Sequence, residues 1–230
     1  MAFNNVSKID DNVKVRHVLV SVFDKTGLAP FVRDLVATCP DVKLYSTGGT
    51  YKAVAEALGP EAAAAHLVSV SDYTGQPEMQ GGLVKTLDFK IYLGLLGEHY
   101  NEAHQGDLKR TGAFEIDMVV CNLYPFERVS SQPGVSPETC RSNIDIGGPC
   151  MVRASAKNYI RVASVTDPAD YDGILAELRA TGGAVSFATR FALMKKAFAH
   201  TAKYDAAIAA HFASVADPAS VYSFADRASV

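Results

Sequence analysis

The chain has 230 residues, with 22 Lys and Arg against 25 Asp and Glu and a formal net charge of −3. So even a balance makes no case for a nucleic-acid or membrane-surface partner, and no apolar run reaches the roughly 18 residues of a membrane span. The opening M-A-F-N-N-V-S-K-I-D lacks a basic stretch followed by an apolar one, so a secretory leader is not expected and the cytoplasm is the expected compartment.

Residues 13–23 grow steadily more apolar and β-branched, as a central parallel strand buried on both faces does, and end in Asp24-Lys25-Thr26-Gly27. Leu28, Phe31, Val32, Leu35 and Val36 then recur at helical spacing until Cys39-Pro40 stops them. Residues 42–45 form a second strand, followed by Ser46-Thr47-Gly48-Gly49-Thr50 and a helix marked by Tyr51, Val54, Ala55 and Leu58 that ends at Gly59-Pro60. Two glycines and three hydroxyls at a strand-to-helix junction suit a phosphate: the backbone can come close and the helix dipole favours the charge. Lys25, on the loop after the neighbouring strand, can supply the counter-charge. A Gly-Gly turn alone is common, and it is the pair of such loops at consecutive strand ends that points to a ligand.

A third strand spans 67–70. The polar, glycine-bearing segment 71–87 that follows is too long for a plain connection, which is the mark of a functional loop. Within it Lys85 and Thr86 lie between Val84 and Leu87, a frame that aims a lysine or lowers its pKa, unless Lys85 is an ordinary solvated side chain. Residues 91–96 read as a fourth strand, 98–111 as a surface helix or excursion, and 114–121 as a fifth strand ending in Asn122-Leu123-Tyr124-Pro125-Phe126, where open α/β sheets place their ligands. Ser136-Pro137 starts a helix with Ser as cap and Pro at its first position.

The stretch 143–158, N-I-D-I-G-G-P-C-M-V-R-A-S-A-K-N, sets Asp145 before Gly147-Gly148-Pro149, a sharp entry into a helix whose bare N–H groups suit an anion or oxyanion. If that helix is straight, Lys157 lies roughly 14 Å along its axis from the glycines, at about 1.5 Å per residue. Another strand spans 161–166. Asp167-Pro168 caps a helix with Tyr171, Ile174, Leu175 and Leu178 inward, ending at Thr181-Gly182-Gly183. Residues 186–212 form a long amphipathic helix with Phe187, Phe191, Met194, Phe198, Ala202, Ile208 and Phe212 on one stripe and nothing evidently catalytic, and the last fifteen residues form a weakly held tail. Cys39, Cys121, Cys140 and Cys150 show no metal spacing and read as reduced thiols, mostly core filler. His99 and His104 read as solvated, His200 and His211 as packed on a helix, and no metal site is expected.

The sum is an α/β fold, three-layer and doubly wound on a mainly parallel sheet. Its polar clusters nearly all follow strands, so they converge on one edge, where a small anionic, phosphorylated ligand would sit beside lysines and a carboxylate.

The ordered set D-K-T-G (24–27), S-T-G-G-T (46–50), S-D-Y-T-G-x-P-E-M (71–79), V-K-T-L (84–87), N-L-Y-P-F (122–126), N-I-D-I-G-G (143–148), A-K-N (156–158) and K-A-F-x-H-T-A-x-Y-D (196–205) resembles the IMP cyclohydrolase domain of the bifunctional purine-biosynthesis enzyme. The resemblance implies a methylglyoxal synthase-like fold with a C-terminal helical extension, in one domain with its core at about 13–212 and a flexible tail at about 216–230. It implies dehydrative closure of 5-formamidoimidazole-4-carboxamide ribonucleotide to IMP without metal or organic cofactor, by a free-standing homodimer whose formyltransferase partner lies elsewhere. By the same resemblance Lys25, Ser46, Thr47, Gly48, Gly49 and Thr50 hold the 5′-phosphate. Lys85, Tyr124, Asp145 and Lys157 are the implied catalytic set, with Asp145 the proton-handling or orienting carboxylate, and Ser21, Thr86, Asn122, Ile146, Gly147 and Gly148 complete the binding site.

Phe23, Leu83, Asp88-Phe89 and Tyr92 depart from the family pattern, which has Ser, Arg, His-Pro and His there. Two further readings stand beside the enzyme: a regulatory module of the same fold that binds a nucleotide or phosphate without turnover, and a phosphate-eliminating lyase of the same group, disfavoured because the sequence after residue 120 follows the cyclohydrolase.

Overall fold

A computed structural model of the chain describes residues 5–77, 79, 82 and 84–224. In chain order the elements are β1 (Asn12–Lys14), β2 (His17–Val22), α1 (Leu28–Thr38), β3 (Lys43–Ser46), α2 (Gly48–His66), β4 (Leu67–Ser69) and α3 (Val70–Thr74), then α4 (Phe89–Leu96), α5 (Glu102–Thr111), β5 (Met118–Asn122), α6 (Phe126–Ser130) and α7 (Pro137–Ser142). The chain continues with α8 (Gly147–Lys157), β6 (Ala163–Val165), α9 (Tyr171–Thr181), β7 (Ala184–Ser186) and α10 (Phe187–Ala213).

Five strands pair in the order β4-β3-β2-β5-β6, every pair parallel. Alternation divides the core: Val18, Val20 and Val22 of β2 with Met118 and Val120 of β5 pack against α1, α2 and α9, whereas Leu19, Val119 and Cys121 face α4, α8 and α10. This is the three-layer, doubly wound α/β architecture expected. The chain winds from β2 outward to β4 on one side and from β5 to β6 on the other, so the crevice at the strand ends between β2 and β5 is the switch point where such folds bind ligands. None of the described helices is long and apolar enough to cross a membrane, and the four cysteines are free thiols, three of them buried.

Several elements differ from the sequence expectation. Residues 91–96 are helix, not strand. The Asp88 side chain accepts from the Lys90 N–H and starts α4, which then buries Ile91 and Leu95, one turn apart, at 0% exposure. Each such burial is worth roughly 2 kcal/mol, and only the helical period puts both on one face. The long first strand is two strands. The Asp117 carboxylate takes the N–H groups of Arg16 and His17 at 2.8 Å, so β1 ends and pairs antiparallel with the unexpected β7 while β2 enters the main sheet. Helix α2 breaks at Gly59, whose φ of 76° only glycine takes readily, yet resumes through Pro60 to His66. On α10 the buried line is Arg190, Leu193, Ala197, Thr201 and Tyr204, and Phe191 and Ala202 of the expected stripe are exposed.

Other local expectations hold at atomic detail. Ser136 caps α7 by accepting from the Thr139 N–H, and Gly182 ends α9 in the left-handed region; Ser186, read as the first residue of the long helix, caps α10 by accepting from the Thr189 N–H. Of the expected tail, 216–224 are described: the Tyr222 hydroxyl donates to Glu138 Oε2 at 2.5 Å, and 225–230 lie outside the described residues.

Candidate active site at the strand ends

β2 hands over to a loop that the Asn122 side chain holds from β5. Its Oδ1 accepts from the N–H groups of Phe23 (2.7 Å) and Asp24 (2.9 Å), and its Nδ2 donates to the Asp24 carbonyl (2.8 Å). Asp24 in turn accepts from the N–H and hydroxyl of Thr26, which draws its carboxyl below the ordinary range. The loop so fixed carries Lys25, whose Nζ also donates to the Phe23 carbonyl at 3.3 Å.

Beside it, α2 begins with no side-chain cap, so its first-turn N–H groups remain available to a ligand. The hydroxyls flanking that turn are committed. Ser46 Oγ donates to the Val20 carbonyl at 2.8 Å, and Thr50 Oγ1 donates to the Val22 carbonyl and accepts its N–H. Both tie β3 and α2 to β2. Ser46 is 1% exposed and does not line the cavity; its hydroxyl serves the sheet.

Helix α8 supplies a second start without a side chain from its cap residue Ile146. Asp145 Oδ1 accepts from the Gly148 N–H at 2.9 Å, while Tyr204 Oη accepts from the Asp145 N–H at 2.7 Å. Burial pushes the Asp145 carboxyl up, partly offset by the N–H groups of Gly148 and Tyr124. Glycine is required here: a Cβ on Gly148 would stand 2.5 Å from Asp145 Oδ2 and 2.7 Å from the Leu123 side chain, and one on Gly147 would stand 2.9 Å from Thr86 Oγ1.

Lys85 and Thr86 lie between the two helix starts. A Cβ on Gly48 would be 3.2 Å from Lys85 Nζ, so the ammonium sits over the first turn of α2 while the Thr86 hydroxyl sits over that of α8. One cavity of about 630 Å³ is lined by Ser21, Phe23, Lys25, Thr47, Gly48, Gly49, Thr50, Lys85, Thr86, Asn122, Tyr124 and residues 142–148, with Leu87 and Met151 as apolar wall. That volume suits a mononucleotide. Of the expected residues, then, Ser46 and Lys157 are the two it leaves out.

Lys157 stands the farther from the cavity along the chain. It ends α8 on an exposed side, ten residues after Gly147, because that helix is unbroken. The departures also sort by place. Phe23 stands in the cavity mouth, its ring edge-on to Tyr124 at 5.3 Å with the Arg128 guanidinium 5.6 Å above it. Asp88 and Phe89 start α4 outside the cavity. The buried Tyr92 hydroxyl has no hydrogen-bond partner among the described residues, and burial beside the Cys150 and Cys121 thiols pushes its pKa up. Leu83 lies outside the described residues, as do Glu78, Gln80 and Gly81 of the same loop.

Tyr204 is the one contributor that the pattern of the long helix concealed. It sits on a helix read as amphipathic with nothing evidently catalytic, and the visible signal was a phenol at the end of a buried line that runs through Ala197 and Thr201. Among the described residues no group of three or more His, Cys, Asp or Glu could hold a metal.

Comparison with known proteins adds two family matches: the MGS-like domain over residues 27–150 and the AICARFT/IMPCHase bienzyme over 155–228. The chain is 54% identical over 193 residues to the bifunctional purine biosynthesis protein PurH of Anaeromyxobacter dehalogenans (strain 2CP-C), covering 84% of this chain and 35% of that protein. It is 45% identical over 203 residues to the PurH of Neisseria meningitidis serogroup C, covering 88% and 37%. The chain thus spans about a third of the length of the curated relatives it matches. Among solved structures it resembles ForH, with a TM-score of 0.73 and 32% identity over 86% of this chain and 99% of that one.

Proposed function

The chain belongs to the MGS-like domain family and is related over most of its length to the bifunctional purine biosynthesis proteins, and from that premise we propose that it closes 5-formamidoimidazole-4-carboxamide ribonucleotide to IMP with loss of water. The observation that carries the reading is the convergence of two helix starts on one cavity, with Lys85 and Thr86 between them and a partly buried carboxylate at the second.

In this reading the start of α2 and Lys25 take the 5′-phosphate, since among the described residues no carboxylate pairs with that ammonium and no side chain caps that helix. The reacting end lies at α8. The carboxamide nitrogen attacks the formyl carbon, a C–N bond forms, and Asp145 accepts the proton that the nitrogen sheds. The formyl oxygen gathers negative charge as it becomes tetrahedral, opposite the N–H groups of α8 and the Lys85 ammonium. That oxygen then leaves as water after protonation, and the adjacent ring-side nitrogen gives up its hydrogen to form the C=N bond. Tyr124 is the phenol at the mouth placed to accompany the leaving oxygen. Lys157 has no part in this scheme, and Asn122 acts on the loop it holds.

A formyltransferase, joined or separate, would supply the substrate, and the cytoplasm and a homodimer belong to the same proposal. Lys157 outside the cavity and Phe23 within its mouth favour a second reading, a nucleotide-binding module without turnover. An ultraviolet assay with the formylated ribonucleotide separates the two. The enzyme yields IMP at a rate proportional to protein concentration, whereas the module binds IMP and leaves the formylated substrate unchanged.

A further inference from the structure

We infer that Tyr204 is a positioning residue for Asp145: its phenol oxygen, reaching the loop from the C-terminal helix, sets the height and direction from which the carboxylate enters the cavity. This rests on the cyclohydrolase reading above for what Asp145 does, though not for the contact itself.

Asp145 is held through its carboxylate, which takes the N–H groups of Gly148 and Tyr124, and through its own backbone N–H. Its side-chain Oδ1 takes the Gly148 N–H at 2.9 Å, and its own N–H is given to Tyr204 Oη at 2.7 Å, across 59 residues of sequence. The first contact ties the carboxylate to α8. The second decides where the backbone from which the side chain departs must lie. Between α7 and α8 the loop is only residues 143–146: Ile144 packs against the core before Asp145, Ile146 after it is 57% exposed, and the Tyr204 phenol holds the backbone between them.

Tyr204 itself is well anchored. It is 9% exposed on a helix of 27 residues, and its ring meets Phe126 edge-on at 6.3 Å. Phe126 lies two residues after Tyr124, so one phenol touches both loops that bring polar groups to the reacting end. The phenol oxygen makes no other hydrogen bond among the described residues, so the Asp145 N–H is the contact it serves. A displacement of an ångström at a reacting carboxylate is enough to cost a large factor in rate without altering ground-state binding held elsewhere. The phosphate end of the cavity, at α2, is far from this contact in the chain and shares no hydrogen bond with it.

The test compares Tyr204→Phe, which keeps the ring and removes the acceptor, with Lys203→Ala, the neighbouring position on α10, which removes an exposed ion pair to Glu127 of α6. Expected for Tyr204→Phe is amide hydrogen exchange at Asp145 faster by about tenfold or more, kcat lower by about tenfold or more, and KM for the formylated ribonucleotide within about threefold. Lys203→Ala should leave all three unchanged. Unchanged exchange at Asp145, or faster exchange with kcat within about twofold of the parent, overturns the inference. Should the unaltered protein bind IMP but form none, the proposed activity fails, and exchange at the Asp145 amide alone then upholds or overturns the positioning role.

Discussion

Replacing Asp145 by Asn is expected to lower kcat by about 10³-fold, within the range for a general base, while IMP affinity changes by less than about fivefold. The amide keeps the volume and can still accept from the Gly148 N–H, so the loop stays in place and only the proton acceptor is lost. The pH dependence carries a sign. Burial raises the Asp145 pKa, so its protonated form persists to higher pH than for a solvated Asp. The working form is the carboxylate, so kcat/KM should fall as pH drops through this raised pKa, with its acid limb above the ordinary Asp range of about 3.9. In Asp145→Asn that limb should disappear from the residual activity. Retention of both rate and limb would remove Asp145 from the chemistry.

Replacing Arg190 by Met is expected to cost about 3–5 kcal/mol of stability, measured as a lowered urea midpoint with unchanged slope. Arg190 is 0% exposed, and its guanidinium donates to the carbonyls of Asp10, Asp11, Tyr159, Ile160 and Val185. Among the described residues no carboxylate lies within salt-bridge distance of it. One cation therefore holds the entry to β1, the turn after α8 and the edge strand β7 together, and methionine of similar length would leave those carbonyls without their donor. Total stability of an ordinary domain is about 5–15 kcal/mol, so the variant should unfold at a markedly lower temperature than the parent. A loss below about 1 kcal/mol would show that water replaces the guanidinium readily.

Much of this was legible before any coordinates. The polar clusters after strands fall in one cavity because parallel strands deliver their C-terminal ends to one edge, and Ser136 and Gly182 cap helices by local hydrogen bonding and left-handed backbone that residue type announces. What failed had physical causes of another kind. The run I-Y-L-G-L-L fits strand or helix equally, and the cap at Asp88 with burial at Ile91 and Leu95 decided it. The division of the first strand depends on Asp117, a hundred residues later. Ser46 looked like a phosphate ligand because a hydroxyl beside two glycines is chemically apt, yet the strand beside it offered a closer acceptor. Arg190 and Tyr204 stayed hidden because periodicity weighs apolar residues, and each sits on the buried line as a polar group with distant backbone partners.

The central claim is that the starts of α2 and α8 hold a single ligand between them. Titrating the ¹⁵N-labelled protein with IMP tests it most directly. The account predicts saturable shifts of the Gly48, Gly49, Gly147 and Gly148 amides along one binding curve. Shifts confined to the separate cavity between residues 5–10 and 98–103, or two curves of different midpoint for the two helix starts, would contradict it.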